Sequence, residues 1–278
     1  MIDQAVIDRT LAEDLIDGPD VTTAATVPAD QVARARLTPR QAGVLAGGPI
    51  AAQVFRTVIG PAVSVEQLVA DGGALVPGEP ALVVDGPTAG LLTAERTALN
   101  LLTHLSGIAS ATRAWVDAVA GTGARIRDTR KTLPGLRALE KYAVRCGGGV
   151  NHRMSLGDAA LIKDNHVAAA GSVTAAIKAV RALDPGIALE VEVDNLAQFD
   201  EAIGAGAELV LLDNFSLADT VEAVRRARAR PQYVQLEASG GLTLDRARSV
   251  AETGVDFLAV GALTHSAPAL DIGLDLVG

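Results

Sequence analysis

Residues 188–214 read ALEVEVDNLAQFDEAIGAGAELVLLDN, and this stretch decides the fold. It contains two short runs rich in valine and leucine, 188–194 and 208–213, each closing on an acid and lying about one βα unit apart. The same rhythm recurs outward, with candidate strands at 124–128, 159–163, 233–238 and 257–261. Between most of them lie helical segments such as SVTAAIKAVRAL (172–183) and TLDRARSVAETG (243–254). Alternating β and α units imply a parallel sheet, open or closed into a barrel. Strand ends decide between the two, because barrel chemistry gathers at the carboxyl ends of many strands. Here those ends read DTRKT (128–132), IKDNH (162–166), EVEVDN (190–195), LLDN (211–214), EASGG (237–241) and VGA (260–262). An open nucleotide-binding sheet would instead place a G-x-G-x-x-G turn after its first strand. Gly121-Thr122-Gly123 precedes the strand and lacks that pattern. The expected second half is an α/β barrel.

The first half reads differently. Residues 1–20 predict a helix with Ala5, Val6, Leu11, Leu15 and Ile16 on one face, broken by 18–26. From 33 to 85 short apolar stretches alternate with glycine and proline, a strand-and-turn signature. Residues 91–120 predict a long helix with a break near Ser106-Gly107, where the domain boundary is placed. The expected division is 1–107 and 108–265, with the tail 266–278 a candidate to pack on the first domain.

Composition limits the function. The 278 residues carry net charge −9, one cysteine and seven aromatics. A lone Cys146 excludes a disulfide framework and cysteine-rich zinc sites. No run of about 18 uncharged apolar residues exists, so no membrane span is expected. The N-terminal MIDQAVIDRT lacks a basic region followed by an apolar one, so a cytoplasmic rather than secreted protein is expected. An acidic chain poor in aromatics also argues against a nucleic-acid partner. The charge is uneven, however: residues 125–163 hold nine Lys or Arg against three acids, a net +6, leaving −15 elsewhere.

That basic block divides by position. Arg130 and Lys131 come directly after a strand, with Thr132 a helix cap and Pro134 in the first turn. His152 and Arg153 come after the loop Gly147-Gly148-Gly149, which reads as too flexible for a packing role. Lys163 ends the run AALIK, which predicts a partly buried ammonium. Arg137, Lys141 and Arg145 recur at helical spacing and read as a solvated face. On 190–194 the acids share one face and the valines the other, so the acids should point into the barrel. Asp213 adds a carboxylate at the next strand end; such groups can stabilise developing positive charge or hold hydrated magnesium. Small residues at Ser239-Gly240-Gly241 and Gly261-Ala262 would let backbone N–H groups approach phosphate at the last two strands. His104 and His265 have no evident partner in the sequence, and a capping or packing role is expected for each.

Long ordered motifs carry a resemblance: TAERTALNLLTHLSGIA (93–109), DTRKTLPGLRALEKYAVRCGGGVNHR (128–153), GDAALIKDNH (157–166), LEVEVDN (189–195), LLDN (211–214) and LEASGG (236–241). Together they resemble the quinolinate phosphoribosyltransferase family, from about residue 10 to the C-terminus. The resemblance implies an N-terminal α/β sandwich domain plus an incomplete α/β barrel of about seven strands. It also implies a homodimer or larger assembly, up to a hexamer, with a shared active site. The implied reaction joins quinolinate to 5-phosphoribosyl 1-diphosphate (PRPP) with Mg2+, giving nicotinate mononucleotide, diphosphate and CO2 in NAD biosynthesis. Carried over by motif, Arg130, His152, Arg153 and Lys163 would clasp the two carboxylates of quinolinate, with Arg96 entering from a neighbouring subunit. Thr129 and Lys131 would meet phosphate or diphosphate oxygens. Glu192 and Asp213 would face the ribose and the waters of the metal, and Ser239, Gly240, Gly241, Gly261 and Ala262 would surround phosphate. Lys131, Lys163, Glu192 and Asp213 would form the catalytic set. Two other readings keep parts of the pattern: a phosphoribosyltransferase for another ring acid, and a non-catalytic barrel sensing a phosphorylated metabolite.

Overall fold

The computed structural model describes residues 4–277. Its first strands are β1 (Val32–Pro39), β2 (Gly43–Val44), β3 (Ser64–Gln67), β4 (Ala74–Leu75) and β5 (Leu82–Pro87). The chain continues through β6 (Arg125–Arg127), β7 (Ala160–Ile162), β8 (Leu189–Val193), β9 (Leu209–Asp213), β10 (Gln235–Ser239), β11 (Phe257–Ala259) and β12 (Ile272–Val277). It divides into two compact units: one runs up to Arg113 and adds Thr132–Gly148 and the chain from Leu263 on, and the other comprises Ala114–Lys131 and Gly149–Ala262.

The first unit is built on an antiparallel sheet in the order β12-β1-β5-β3. The C-terminal strand thus returns to the N-terminal sheet, pairing from Ile272 opposite Pro39 to Val277 opposite Arg34. Helix Gly48–Ile59 starts with Pro at its first turn and buries Ile50, Val54 and Phe55.

Several expectations change here. The first helix is Gln4–Asp14, burying Val6, Ile7 and Leu11, while Leu15 and Ile16 are exposed beyond its end; residues 1–3 lie outside the described residues. The supposed break at 18–26 includes a second short helix, Val21–Thr26, whose N-cap Asp20 accepts from the Thr23 N–H. The long helix runs unbroken from Thr88 to Ala118. Ser106 and Gly107 lie at close contacts: Ser106 Oγ accepts from the Ala46 N–H at 3.1 Å, and a Cβ at Gly107 would lie 2.1 Å from the Pro268 carbonyl oxygen. The glycine there serves packing and does not break the helix.

The helix after DTRKT starts at Arg137, so Thr132 does not cap it; Gly135 adopts a left-handed φ of 79°, which ends the turn before the helix begins. Lys141 is fully buried rather than solvated, beside the equally buried Glu140. Glu140 explains His104, whose Nε2 lies 2.9 Å from its Oε1. Gly147 is also a packing residue, since a Cβ would come within 2.4 Å of the Ala109 carbonyl oxygen and 2.5 Å of Thr112 Cβ.

The second unit carries a parallel sheet in the order β6-β11-β10-β9-β8-β7. All six strands lie where the apolar runs predict them. Several helices between them start on side-chain caps, as at Asn195, whose Oδ1 accepts from the Ala197 and Gln198 N–H groups at 3.0 Å each. Val191 and Val193 are fully buried on the outer face, as the period-2 pattern requires.

Two contacts show that this sheet is curled into a barrel. Val150 bridges onto Arg127 at the β6 edge. Two residues on, His152 Nε2 lies 2.6 Å from Glu190 Oε2 on β8. In a flat sheet, the five strand spacings between them would be roughly 24 Å, beyond the reach of both side chains. Arg127 likewise crosses over the Phe257 ring on β11, 4.7 Å from its centroid, to place Nη1 2.5 Å from Glu237 Oε2 on β10. Inner residues from alternate strands meeting in one layer are the packing of a closed α/β barrel. Strands number six rather than about seven among the described residues. The seventh segment pairs only at Val150, after which Asn151 and His152 turn to bond the Asp128 carboxylate instead of continuing the ladder. Among the described residues no helix is long and apolar enough to cross a membrane.

Candidate active site

At the carboxyl ends of these strands lies a cavity of about 400 Å³. Its walls bring together Thr129, Arg130 and Lys131 after β6, His152 and Arg153 after the Val150 bridge, Lys163 after β7, Glu192 on β8, Asp213 on β9 and Ser239 on β10. Each side chain arrives because its strand points alternate residues inward and then ends. Gly240 and Gly241 line a separate cavity of about 180 Å³ that shares Ser239. Gly261 and Ala262 line neither cavity. Arg96 belongs to the first unit, exposed on helix Thr88–Ala118.

Cations and anions are laid out unevenly within the cavity. Lys163 Nζ donates to Glu192 Oε2 at 2.6 Å. The lysine side chain is 45% exposed, because it stands one residue beyond β7 at the start of helix Asp164–Ala170. Its backbone N–H donates to His166 Nδ1 at 3.0 Å, which gives His166 a capping role. Asp213 Oδ2 accepts from Asn214 Nδ2 at 2.8 Å. Arg153 donates from Nη1 to the Ala159 carbonyl at 3.0 Å. Burial, and then the nearby Arg130 charge, pull the Arg153 guanidinium below the usual arginine range. Arg130 Nε is itself buried and finds no hydrogen-bond acceptor among the described residues. Two guanidinium groups held close in a partly buried wall favour an anion between them.

Below the cavity is a buried polar floor that sequence reasoning did not assemble: Arg127, Asp128, His152, Glu190 and Glu237. Glu237 is fully buried, and that burial, then the Glu190 charge, raise its carboxyl well above the usual range. His152 Nδ1 accepts from the Arg153 N–H at 2.7 Å, so its ring proton sits on Nε2, toward Glu190. The available signal was phase: Glu237 and Ser239 alternate with Leu236 and Ala238 as Glu190 and Glu192 alternate with valines.

Two acid groups could be considered for metal. His152, Glu190 and Glu237 place ligand-capable atoms within 4.8 Å of one another. The 2.6 Å His152–Glu190 separation is nevertheless that of a hydrogen bond, shorter than the roughly 3.3 Å edge of a tetrahedral N,O metal site. Glu192 and Asp213, on adjacent strands and facing the cavity, are hard oxygen donors that fit hydrated magnesium better. Gly240 has its own local reason: at φ 89°, a Cβ would lie 2.2 Å from Asn214 Oδ1. Asn214 is itself in the left-handed region, with φ 53°.

Fold and site together define an α/β-barrel enzyme built to handle anionic substrates beside a pair of carboxylates. The chain belongs to the quinolinate phosphoribosyltransferase family. The family model described as quinolinate phosphoribosyl transferase, C-terminal domain, matches residues 108–275, and the corresponding N-terminal domain matches 20–106. The nicotinate-nucleotide pyrophosphorylase (carboxylating) of Mycobacterium leprae is 59% identical over 97% of this chain and 95% of its own length. The human enzyme of that name is 40% identical over 98% and 91%. Among solved structures, the nicotinate-nucleotide pyrophosphorylase from Ehrlichia chaffeensis superposes with a TM-score of 0.94 at 37% identity, covering 100% of this chain and 99% of that one.

Proposed function

We propose that this protein is a nicotinate-nucleotide pyrophosphorylase (carboxylating), which transfers the phosphoribosyl group of PRPP to quinolinate and releases diphosphate and CO2. The observation that carries the reading is the cavity's division of charge. Arg130 and Arg153 come from the segments leaving β6 and the Val150 bridge, Glu192 and Asp213 from adjacent strand ends, and Lys163 joins the two groups with its ammonium 2.6 Å from Glu192. A dicarboxylate needs the first group, and a ribosyl carbon losing diphosphate needs the second.

In this reading Arg130 and Arg153 hold the quinolinate carboxylates as forked donors, and Lys163 adds a point charge. The ring nitrogen is then directed at the ribosyl carbon. Glu192 and Asp213 favour the positive charge that develops there as the bond to diphosphate breaks. Lys131, exposed at the cavity rim, neutralises the departing diphosphate, with Thr129 beside it. Ser239, Gly240 and Gly241, which line the adjoining cavity, receive the 5-phosphate through backbone N–H groups. Bound through water to Glu192 and Asp213, Mg2+ would supply further charge neutralisation of diphosphate. Decarboxylation needs no protein nucleophile: as CO2 departs, the pair of the broken C–C bond stays on the ring carbon beside the newly quaternised nitrogen, whose positive charge stabilises it, and that carbon then takes a proton from solvent. Arg96 completes the clasp from a second copy of the chain, so the working enzyme is a homodimer or larger. A cytoplasmic location agrees with this reading.

The test mixes protein, quinolinate, PRPP and Mg2+ and measures CO2 and nicotinate mononucleotide. Equal amounts of both products are expected. Binding of PRPP without turnover would instead support a phosphometabolite sensor, and turnover of a monocarboxylate ring acid in place of quinolinate would support the other transferase.

A further inference from the structure

Arg130 and Arg153 come from different segments of the barrel and repel each other, so something must hold their roots together before any anion arrives. The segment 128–131 leaves β6, and the segment 150–153 leaves the Val150 bridge beside it. Backbone pairing between them stops at the Val150 N–H to Ile126 carbonyl bond and the Asp128 N–H to Val150 carbonyl bond, at 2.8 and 3.1 Å. Beyond that point a buried side chain, that of Asp128, ties the two segments together. Asp128, with no exposed surface, accepts from the His152 backbone N–H through Oδ1 at 2.8 Å and from Asn151 Nδ2 through Oδ2 at 2.5 Å.

Asp128 is thus two residues before Arg130 in the chain, and its acceptors hold the two residues immediately before Arg153. A carboxylate suits this place because both its oxygens accept, and charge-assisted hydrogen bonds are the strong ones. The His152 ring is pinned in turn by Glu190 at 2.6 Å and by the Arg153 N–H at 2.7 Å, so displacing residue 152 also displaces Arg153. We propose that Asp128 is a positioning residue for the dicarboxylate clasp: it fastens the two cation-bearing segments to each other and sets the spacing of Arg130 and Arg153. The inference rests on the quinolinate reading of the cavity. It assigns Asp128 no contact with substrate.

The experiment compares wild type with three variants in steady-state assays that vary quinolinate and PRPP separately. Asp128→Asn keeps the size and one acceptor but sets an amide N–H2 against that of Asn151. It should raise KM for quinolinate about tenfold or more while KM for PRPP stays within about threefold. The exchange Asp128→Asn with Asn151→Asp rebuilds the bond with donor and acceptor reversed, since the amide oxygen then at position 128 could still accept from the His152 N–H. This double variant should recover most of the lost quinolinate affinity. Asn151→Ala, which removes one of the two bonds and keeps the buried carboxylate, should show a smaller rise confined to quinolinate, and it serves if Asp128→Asn does not fold. An unchanged KM for quinolinate in the single variants would overturn the proposal. So would equal rises for both substrates with no recovery on exchange, which would mark Asp128 as a general structural group. Absence of turnover in wild type would sink the functional reading itself, a result distinct from either.

Discussion

Replacing Lys163 with alanine separates the site's contribution to catalysis from its contribution to stability. Among the described residues Lys163 makes one ion pair, 2.6 Å to Glu192, with side chains 45% and 13% exposed. A pair that open to solvent contributes about 0–1 kcal/mol to folding, so Lys163→Ala should move the urea midpoint little. Catalysis should respond far more. Removing a charge that meets a substrate carboxylate in a cavity costs about 2–5 kcal/mol, a fall in kcat/KM of roughly 30-fold to several thousand-fold. The assay measures CO2 release at saturating PRPP while quinolinate is varied, alongside urea unfolding of both proteins. A variant with kcat/KM within about threefold of wild type would refute the assignment of Lys163 to the substrate. A large loss of stability accompanying the loss of activity would show instead that the Lys163–Glu192 pair holds the barrel rim together.

Three further outcomes are expected. Glu237 has its carboxyl raised by burial, so the folded state keeps its proton at pH values where the unfolded chain has lost it; its favourable contribution is present at low pH and fades as pH rises through the raised value. Glu237→Gln removes that dependence, and its thermal stability relative to wild type should improve between about pH 5 and pH 8; a pH-independent difference would contradict the buried-proton account. Gly107→Ala sets helix propensity, worth about 1 kcal/mol in favour of alanine, against a Cβ placed 2.1 Å from the Pro268 carbonyl oxygen. Overpacking of about 1–3 kcal/mol should win, and a raised urea midpoint would show that the two segments are not in contact. Inactive Arg96→Ala and Lys163→Ala proteins, mixed and allowed to exchange subunits, should regain activity, because mixed assemblies would contain intact sites; no recovery under confirmed exchange would place Arg96 and Lys163 in the same chain's site.

Period and strand-end chemistry were enough to read the six barrel strands and the cavity's wall from the amino-acid sequence. Both depend on local rules: side chains alternate along a strand, and the residues just past its last buried position face the barrel mouth. Arg130, Lys131, Arg153, Lys163, Glu192 and Asp213 obey those rules and meet in one cavity. Packing at a distance was not legible. Gly107 reads as a helix break and Gly147 as part of a flexible loop in one dimension, yet each is small because a backbone from elsewhere passes within van der Waals distance of it. Lys141 carries helical spacing that suits a solvated face and is fully buried instead, because spacing reports which residues share a face but not what covers it.

The floor of the site shows the same division. Sequence alone determined that Glu190 points inward and that Asp128 precedes the DTRKT cations. Only the tertiary structure decided that Arg127, Asp128, His152, Glu190 and Glu237 form one buried network, since its members come from β6, β8, β10 and the segment beyond Val150. The physical reason is closure of the sheet. Curvature brings strands five spacings apart to within one hydrogen bond, and no local pattern in the chain specifies that curvature.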